Sequence, residues 1–158
     1  MKNLIIYFSV FGSTKKFAEM IHENVGGDLV EIKPVRPYER DYKELLAFSK
    51  KEVDNGILTE FVDVDLDMKN YDNVFVGYPM WWYSYPPILK NFFKKYDMTG
   101  KTIIPFNTHE GSGDGGTYRE IARDLPNSKV LKGLAIRGGD VSEKKMSNIK
   151  TWLKEIGF

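Results

Sequence analysis

The strongest constraint on this chain is an alternation of short, continuous apolar runs with segments whose apolar residues recur at helical spacing. Leu4-Ile5-Ile6-Tyr7-Phe8 is unbroken rather than alternating, as in a strand buried on both faces. The spacing of Phe17, Ala18, Ile21 and Val25 then predicts a helix, closed by Gly26-Gly27. Leu29 to Ile32 reads as a second strand, and Pro34, Pro37 and the polar residues after them as a loop. Tyr42 to Lys51 reads as a helix with Leu45, Leu46 and Phe48 as its apolar members. Residues 53–70 are expected to be loop, with a short strand around Glu60 to Val64. Strand three is expected over Val74 to Tyr78. Pro86 or Pro87 opens the next helix, whose inward residues are Ile88, Leu89, Phe92 and Phe93. Thr102 to Phe106 is strand four. A helix through Tyr118, Ile121, Ala122 and Leu125 leads to strand five at Lys129 to Ile136. Met146, Ile149, Trp152, Leu153 and Ile156 mark the last helix. Strands and helices in strict alternation predict βαβ units on a parallel, doubly wound sheet. At 158 residues, 1–158 is expected to form one α/β domain.

Ligands of such sheets bind beyond the carboxyl ends of the strands, and the three most unusual loops follow strands one, three and four. Ser9-Val10-Phe11-Gly12-Ser13-Thr14 places hydroxyls and a glycine before a helix N-terminus, a natural anion site. Ser13 or Thr14 as a plain helix cap is the alternative, and it uses the same groups. The turn itself carries neither Gly-x-x-x-x-Gly-Lys nor Gly-x-Gly-x-x-Gly, which argues against a nucleoside triphosphate or a dinucleotide there. Pro79 to Pro87 is crowded with aromatic residues. Adjacent Trp81 and Trp82 cannot both point into one core from an extended loop, so at least one is expected at a pocket or the surface. Asn107 to Asp114 supplies bare peptide groups able to approach a ring closely. His109 there is either an exposed loop residue or a hydrogen-bond donor to a bound ring. The Glu110-Gly111-Ser112-Gly113 run is not a serine hydrolase elbow. Gly138-Gly139 reads as a turn.

Tyr7-Phe8-Ser9 through Thr14, Gly77 to Trp82, and Thr108 with its glycine-rich continuation resemble the flavodoxin family over nearly the whole chain. The resemblance implies a flavodoxin-like fold, a five-stranded parallel sheet of order 2-1-3-4-5 with helices on both faces, and FMN as cofactor. It implies that Ser9, Phe11, Gly12, Ser13 and Thr14 hold the phosphate. Pro79, Met80, Trp81 and Trp82 would wrap the flavin, and Thr108, His109, Glu110, Gly111 and Ser112 would meet its pyrimidine edge. Lys15 is the weaker phosphate candidate, since the family uses dipoles and hydroxyls. Two departures stand out. Many members carry a glycine in the second loop whose peptide turns over when the flavin takes up an electron, and Met80 to Tyr85 has none. Many are also strongly acidic, whereas this chain has 23 basic and 22 acidic residues, a net charge of +1. Both lean toward two-electron chemistry.

The absence of cysteine excludes disulfides, thiol catalysis and Cys-ligated metals, and two histidines make a His-rich metal site improbable. The mixed charge carries no nucleic-acid footprint. A five-residue apolar run after Met1-Lys2-Asn3 predicts neither membrane insertion nor a signal peptide, so a cytoplasmic location is expected. A receiver domain of the response-regulator type is excluded by Ser9 and by Gly77-Tyr78-Pro79, where its acidic pair and phospho-accepting aspartate would stand. The reading favoured is an electron carrier serving redox partner proteins, with no catalytic or metal residues assigned. The alternative is an FMN-dependent NAD(P)H or quinone oxidoreductase passing electrons to a small quinone-like acceptor.

Overall fold

In the computed structural model, residues 2–38 and 41–158 are described; the polar residues expected to continue the loop after Pro37 include Glu39 and Arg40, outside the described residues. The apolar runs form strands β1 (Asn3–Tyr7), β2 (Asp28–Glu31), β3 (Asn73–Pro79) and β4 (Thr102–His109), followed by two short strands, β5 (Lys129–Val130) and β6 (Leu134–Arg137). All pair in parallel, in the order β2-β1-β3-β4-β5, with β6 also on β4. Between them run α1 (Ser13–Val25), α2 (Tyr42–Asp54), α3 (Pro87–Lys95), α4 (Thr117–Asp124) and α5 (Met146–Glu155). This is the doubly wound sheet that the alternation of apolar runs and helical segments predicts.

Successive strand residues face opposite sides of the sheet, so each continuous run feeds two cores at once. Leu4, Ile6, Val74, Val76 and Tyr78 face α2, α3 and α4, joining Leu45, Ile88, Leu89, Phe92 and Ile121. Ile5, Tyr7, Phe75, Ile104 and Phe106 face α1 and α5, joining Phe17, Ile21, Ile149 and Trp152. Among the described residues no helix is long and apolar enough to cross a membrane.

Four details depart from the periodicity reading. The fifth sheet position is filled by two pieces rather than one strand, separated at Leu131 to Gly133. The gap lies opposite Pro105 of β4, between the pairs Ile103–Val130 and Phe106–Leu134. Pro105 has no N–H to give the ladder, and Gly133 is squeezed there, since a Cβ on it would stand 2.6 Å from the Pro105 carbonyl oxygen. The strand expected at Glu60 to Val64 is reduced to a single antiparallel bridge between Pro34 and Phe61. Phe48 and Ala122, read as apolar-face members, are exposed, because only Leu45, Ser49 and Glu52 of α2, and Thr117 and Ile121 of α4, turn inward. Finally, β3 and β4 run longer than read, to Pro79 and His109, so loop residues expected at the site are carried on strand ends.

Gly77 shows how tightly the sheet and the α1/α5 core meet. A Cβ at that position would lie 2.2 Å from Phe106 Cζ, inside a fully buried ring. Gly77→Ala is expected to lower unfolding free energy by about 1–3 kcal/mol through overpacking. Urea denaturation measures it, and a wild-type midpoint would contradict this packing.

Candidate functional site

A cavity of about 380 Å3 opens at the carboxyl ends of β1, β3 and β4, within the size range of small-molecule sites. Its first wall is the β1–α1 turn. Gly12, at φ 99°, is the residue that caps α1, and no side chain caps the first turn. Ser13 and Thr14 are therefore not the caps that the simpler reading allowed; they sit inside the helix. The Ser9 hydroxyl accepts the Gly12 N–H at 3.1 Å, leaving the first-turn N–H groups of α1 without a side-chain acceptor. The Thr14 hydroxyl is engaged elsewhere, meeting that of Thr108 at 2.9 Å in a buried contact that ties α1 to β4. No lysine or arginine among the described residues lines the cavity. Lys15 stays outside it, and Lys16 pairs with Glu143 at 3.4 Å. The positive end of the α1 dipole is the attraction this wall offers an anion.

The second wall is the aromatic segment after β3, and it separates the two tryptophans. Trp81 turns inward, its ring edge-on to Phe8 and Tyr38 at 5.4 and 5.0 Å, whereas Trp82 is 41% exposed at the mouth. The Trp81 N–H donates to the Ser84 carbonyl at 3.1 Å and the Ser84 N–H returns to that of Trp81 at 2.9 Å, closing a two-residue turn. Trp82 and Tyr83 between them have φ of 52° and 58°. Positive φ at both central positions normally calls for Asn-Gly, and a bulky residue there costs about 1–2 kcal/mol. The lack of glycine in Met80 to Tyr85 therefore does not prevent left-handed backbone. Bonds on both sides hold the turn: the Trp82 Nε1–H donates to the Ser49 hydroxyl at 3.0 Å, and Glu120 accepts the Ser84 hydroxyl and the Tyr85 N–H while pairing with Lys90 at 2.7 Å.

The third wall follows β4, and buried polar groups shape it. Asn107, fully buried, donates through Nδ2 to the Gly113 carbonyl at 3.0 Å and accepts at Oδ1 from the Tyr118 hydroxyl at 2.6 Å. The Thr117 hydroxyl donates to the Asp114 carbonyl at 2.7 Å and so accepts from the Tyr78 hydroxyl, also at 2.7 Å. Burial pushes the Tyr78 and Tyr118 hydroxyls well above the ordinary tyrosine range, so both remain neutral donors. His109 Nδ1 accepts the Gly111 N–H at 2.9 Å, which puts the proton of the neutral ring on Nε2.

Ser9, Phe11, Ser13 and Thr14 thus meet Pro79, Met80, Trp81 and Trp82, and Thr108, His109, Glu110 and Ser112, around one space. Gly12 and Gly111, also expected there, are not lining residues; they set the backbone of their turns. A fourth wall escapes the sequence reading: Tyr42, Leu45, Leu46 and Ser49 of α2 face the same cavity, with Val10, Tyr83 and Gly138. Gly138 lies close enough to the third wall that a Cβ on it would stand 3.1 Å from Glu110 Oε1, so the turn at Gly138 belongs to the site. Spacing within α2 does not mark this wall: only the fold, which buries Leu45 as the helix's one apolar core residue, leaves Leu46 half-buried and Tyr42 exposed to line the cavity.

The flavodoxin family model matches residues 2–156. A candidate flavoprotein of Bacteroides eggerthii DSM 20697 is 30% identical, with a TM-score of 0.87 over 99% of this chain and 98% of that one. The flavodoxin-like domain-containing protein BilS of Clostridioides difficile (strain CD3) is 28% identical over 98% of this chain and 75% of its own length. A flavoprotein of Lactobacillus acidophilus NCFM, solved in complex with FMN, shares 23% identity and a TM-score of 0.73 over 92% of this chain and 98% of that one.

Tyr83 is 74% exposed, so its left-handed backbone is offset by little packing. Tyr83→Asn, which tolerates that conformation, is expected to raise the unfolding free energy of the apo protein by about 1 kcal/mol. Chemical denaturation decides it; a loss of stability would show that the aromatic ring, not the backbone, governs this position.

Proposed function

This chain belongs to the flavodoxin family, and from that premise we propose that it binds one FMN in the cavity at the carboxyl edge of the sheet and acts as an electron carrier. The observation that supports this most directly is the polarity of the cavity. One end offers hydroxyls and free first-turn N–H groups, with no lysine or arginine among the described lining residues, and the other is walled by Met80, Trp82 and bare loop peptides. A phosphate suits the first end through the helix dipole. A flat, largely apolar tricycle with a polar pyrimidine edge suits the second. Bound there, FMN would supply reversible electron transfer. The chain's own part is to hold the phosphate with Ser9, Ser13 and the α1 N-terminus, to flank the ring with Met80 and Trp82, and to offer the His109 Nε2–H as a donor. A redox partner protein would take the electrons across the exposed faces of Trp82 and Tyr83. Among the described lining residues no two titratable side chains are hydrogen-bonded to each other, which favours carriage over acid–base catalysis.

A second reading, an FMN-dependent NAD(P)H or quinone reductase, is favoured by the mouth of the cavity. Phe11, Tyr42, Trp82 and Tyr83 are all exposed there, and Phe11 and Tyr42 lie 6.5 Å apart, a collar on which a planar acceptor could stack.

Titrating the protein into FMN should quench flavin fluorescence at a one-to-one ratio, and failure to quench would remove the cofactor reading. Ser13→Ala should weaken FMN binding about tenfold or more, by loss of a hydrogen bond to a charged group, while leaving riboflavin affinity unchanged. Equal loss for both ligands would place the phosphate elsewhere. With NADPH and a quinone, the carrier should turn over no faster than free FMN; a clearly faster rate would favour the reductase.

A further inference from the structure

Helix α2 touches the cavity through an unusual contact. Ser49, only 2% exposed, occupies a buried helical position where alanine would serve the helix better. Its hydroxyl donates to the Leu46 carbonyl one turn back, at 3.2 Å, and accepts the Trp82 indole N–H at 3.0 Å. The next residue, Lys50, holds its ammonium 5.5 Å from the Trp82 ring. These contacts fix the indole from the α2 side. Trp82 is also one of the two bulky residues held in left-handed backbone, a conformation it would leave without restraint. The paired Trp81–Ser84 backbone bonds close the turn and Glu120 holds Ser84 and Tyr85, but the Trp82 side chain, 41% exposed, has Ser49 as its hydrogen-bond partner.

We infer that Ser49 is a positioning residue for the cavity: its hydroxyl, acting through the Trp82 indole, holds the strained turn in the shape that forms the aromatic wall. The site is then completed by a helix outside the three loops that follow the strands. Because α2 buries only Leu45, Ser49 and Glu52, docking of the helix and shape of the wall are linked, and whatever loosens α2 loosens the site.

The assignment rests on the FMN reading above where affinity is concerned, and one measurement is independent of it. In the apo protein the Trp82 indole N–H, identified as the signal missing from Trp82→Phe, is followed by hydrogen exchange. Ser49→Ala should accelerate it about tenfold, and unchanged exchange overturns the assignment. FMN is then titrated into wild type, Ser49→Ala, Trp82→Phe and the double variant. Ser49→Ala should weaken binding about fivefold in the wild-type background and add nothing to Trp82→Phe, which keeps an aromatic face but has no N–H to hold. An equal loss in both backgrounds means that Ser49 acts by some route other than Trp82 and overturns the assignment. Ser49→Thr, which keeps the hydroxyl, should restore most of the affinity, and matched urea midpoints separate positioning from general instability. Wild-type protein that binds no FMN would sink the cofactor reading, whereas the exchange result alone still decides the Ser49–Trp82 link.

Discussion

Everything at this site depends on the parallel register of three adjacent strands. Gly77 of β3 lies opposite Tyr7 of β1 and Phe106 of β4, and two residues on Pro79 still pairs with Thr108. In a parallel sheet all three chain exits must face the same edge. The Met80 N–H continues the ladder onto the Thr108 carbonyl at 2.9 Å, and the Thr14 hydroxyl meets that of Thr108. The second and third walls therefore begin from a shared hydrogen-bonded pair, and α1 is tied to the same residue. Mutual placement of the walls is a property of the sheet rather than of flexible loops.

The loops beyond that edge are held by interactions of different kinds. The glycine-rich turn is pinned by neutral donors and acceptors buried beneath it, Asn107 to Gly113, Tyr118 to Asn107, and Tyr78 through Thr117 to Asp114. Such a network is rigid because a broken bond would leave a polar group buried and unpaired. The aromatic turn is strained and lies partly at the surface, so beyond its own Trp81–Ser84 bonds it depends on Ser49, which holds Trp82, and on Glu120, which holds Ser84 and Tyr85. The end of the cavity at the β1–α1 turn carries no lysine or arginine among the described lining residues, so the helix dipole is the attraction it offers an anion. A site whose electrostatics come from backbone is indifferent to the chain's near-zero net charge.

Legibility followed the range of the physics. Leu4 to Phe8 and Val74 to Tyr78 announce themselves as strands because burial on both faces demands continuous apolar residues, whatever their neighbours. The three loops are legible because a hydroxyl-rich turn, an indole pair and a glycine run each have few local uses. Phe48 was misread because α2 meets the sheet along a narrow strip, which spacing within the helix cannot reveal. The division of strand five was hidden because its cause, Pro105, lies on the neighbouring strand.

Sequence alone determined the alternation of strand and helix, the parallel sheet it requires, and the three unusual turns that wall the cavity, since each follows from burial and backbone chemistry within a dozen residues. Tertiary structure decided which tryptophan faces the core, where Trp81 turns to Phe8 and Tyr38 and leaves Trp82 at the mouth. It also decided that α2 supplies a fourth wall and that Trp82 and Tyr83 adopt left-handed backbone without a glycine. These features depend on contacts between residues more than thirty positions apart, such as Ser49 with Trp82 or Tyr85 with Glu120. A local pattern of residues carries no record of such pairings, and only the folded chain brings them within hydrogen-bond range.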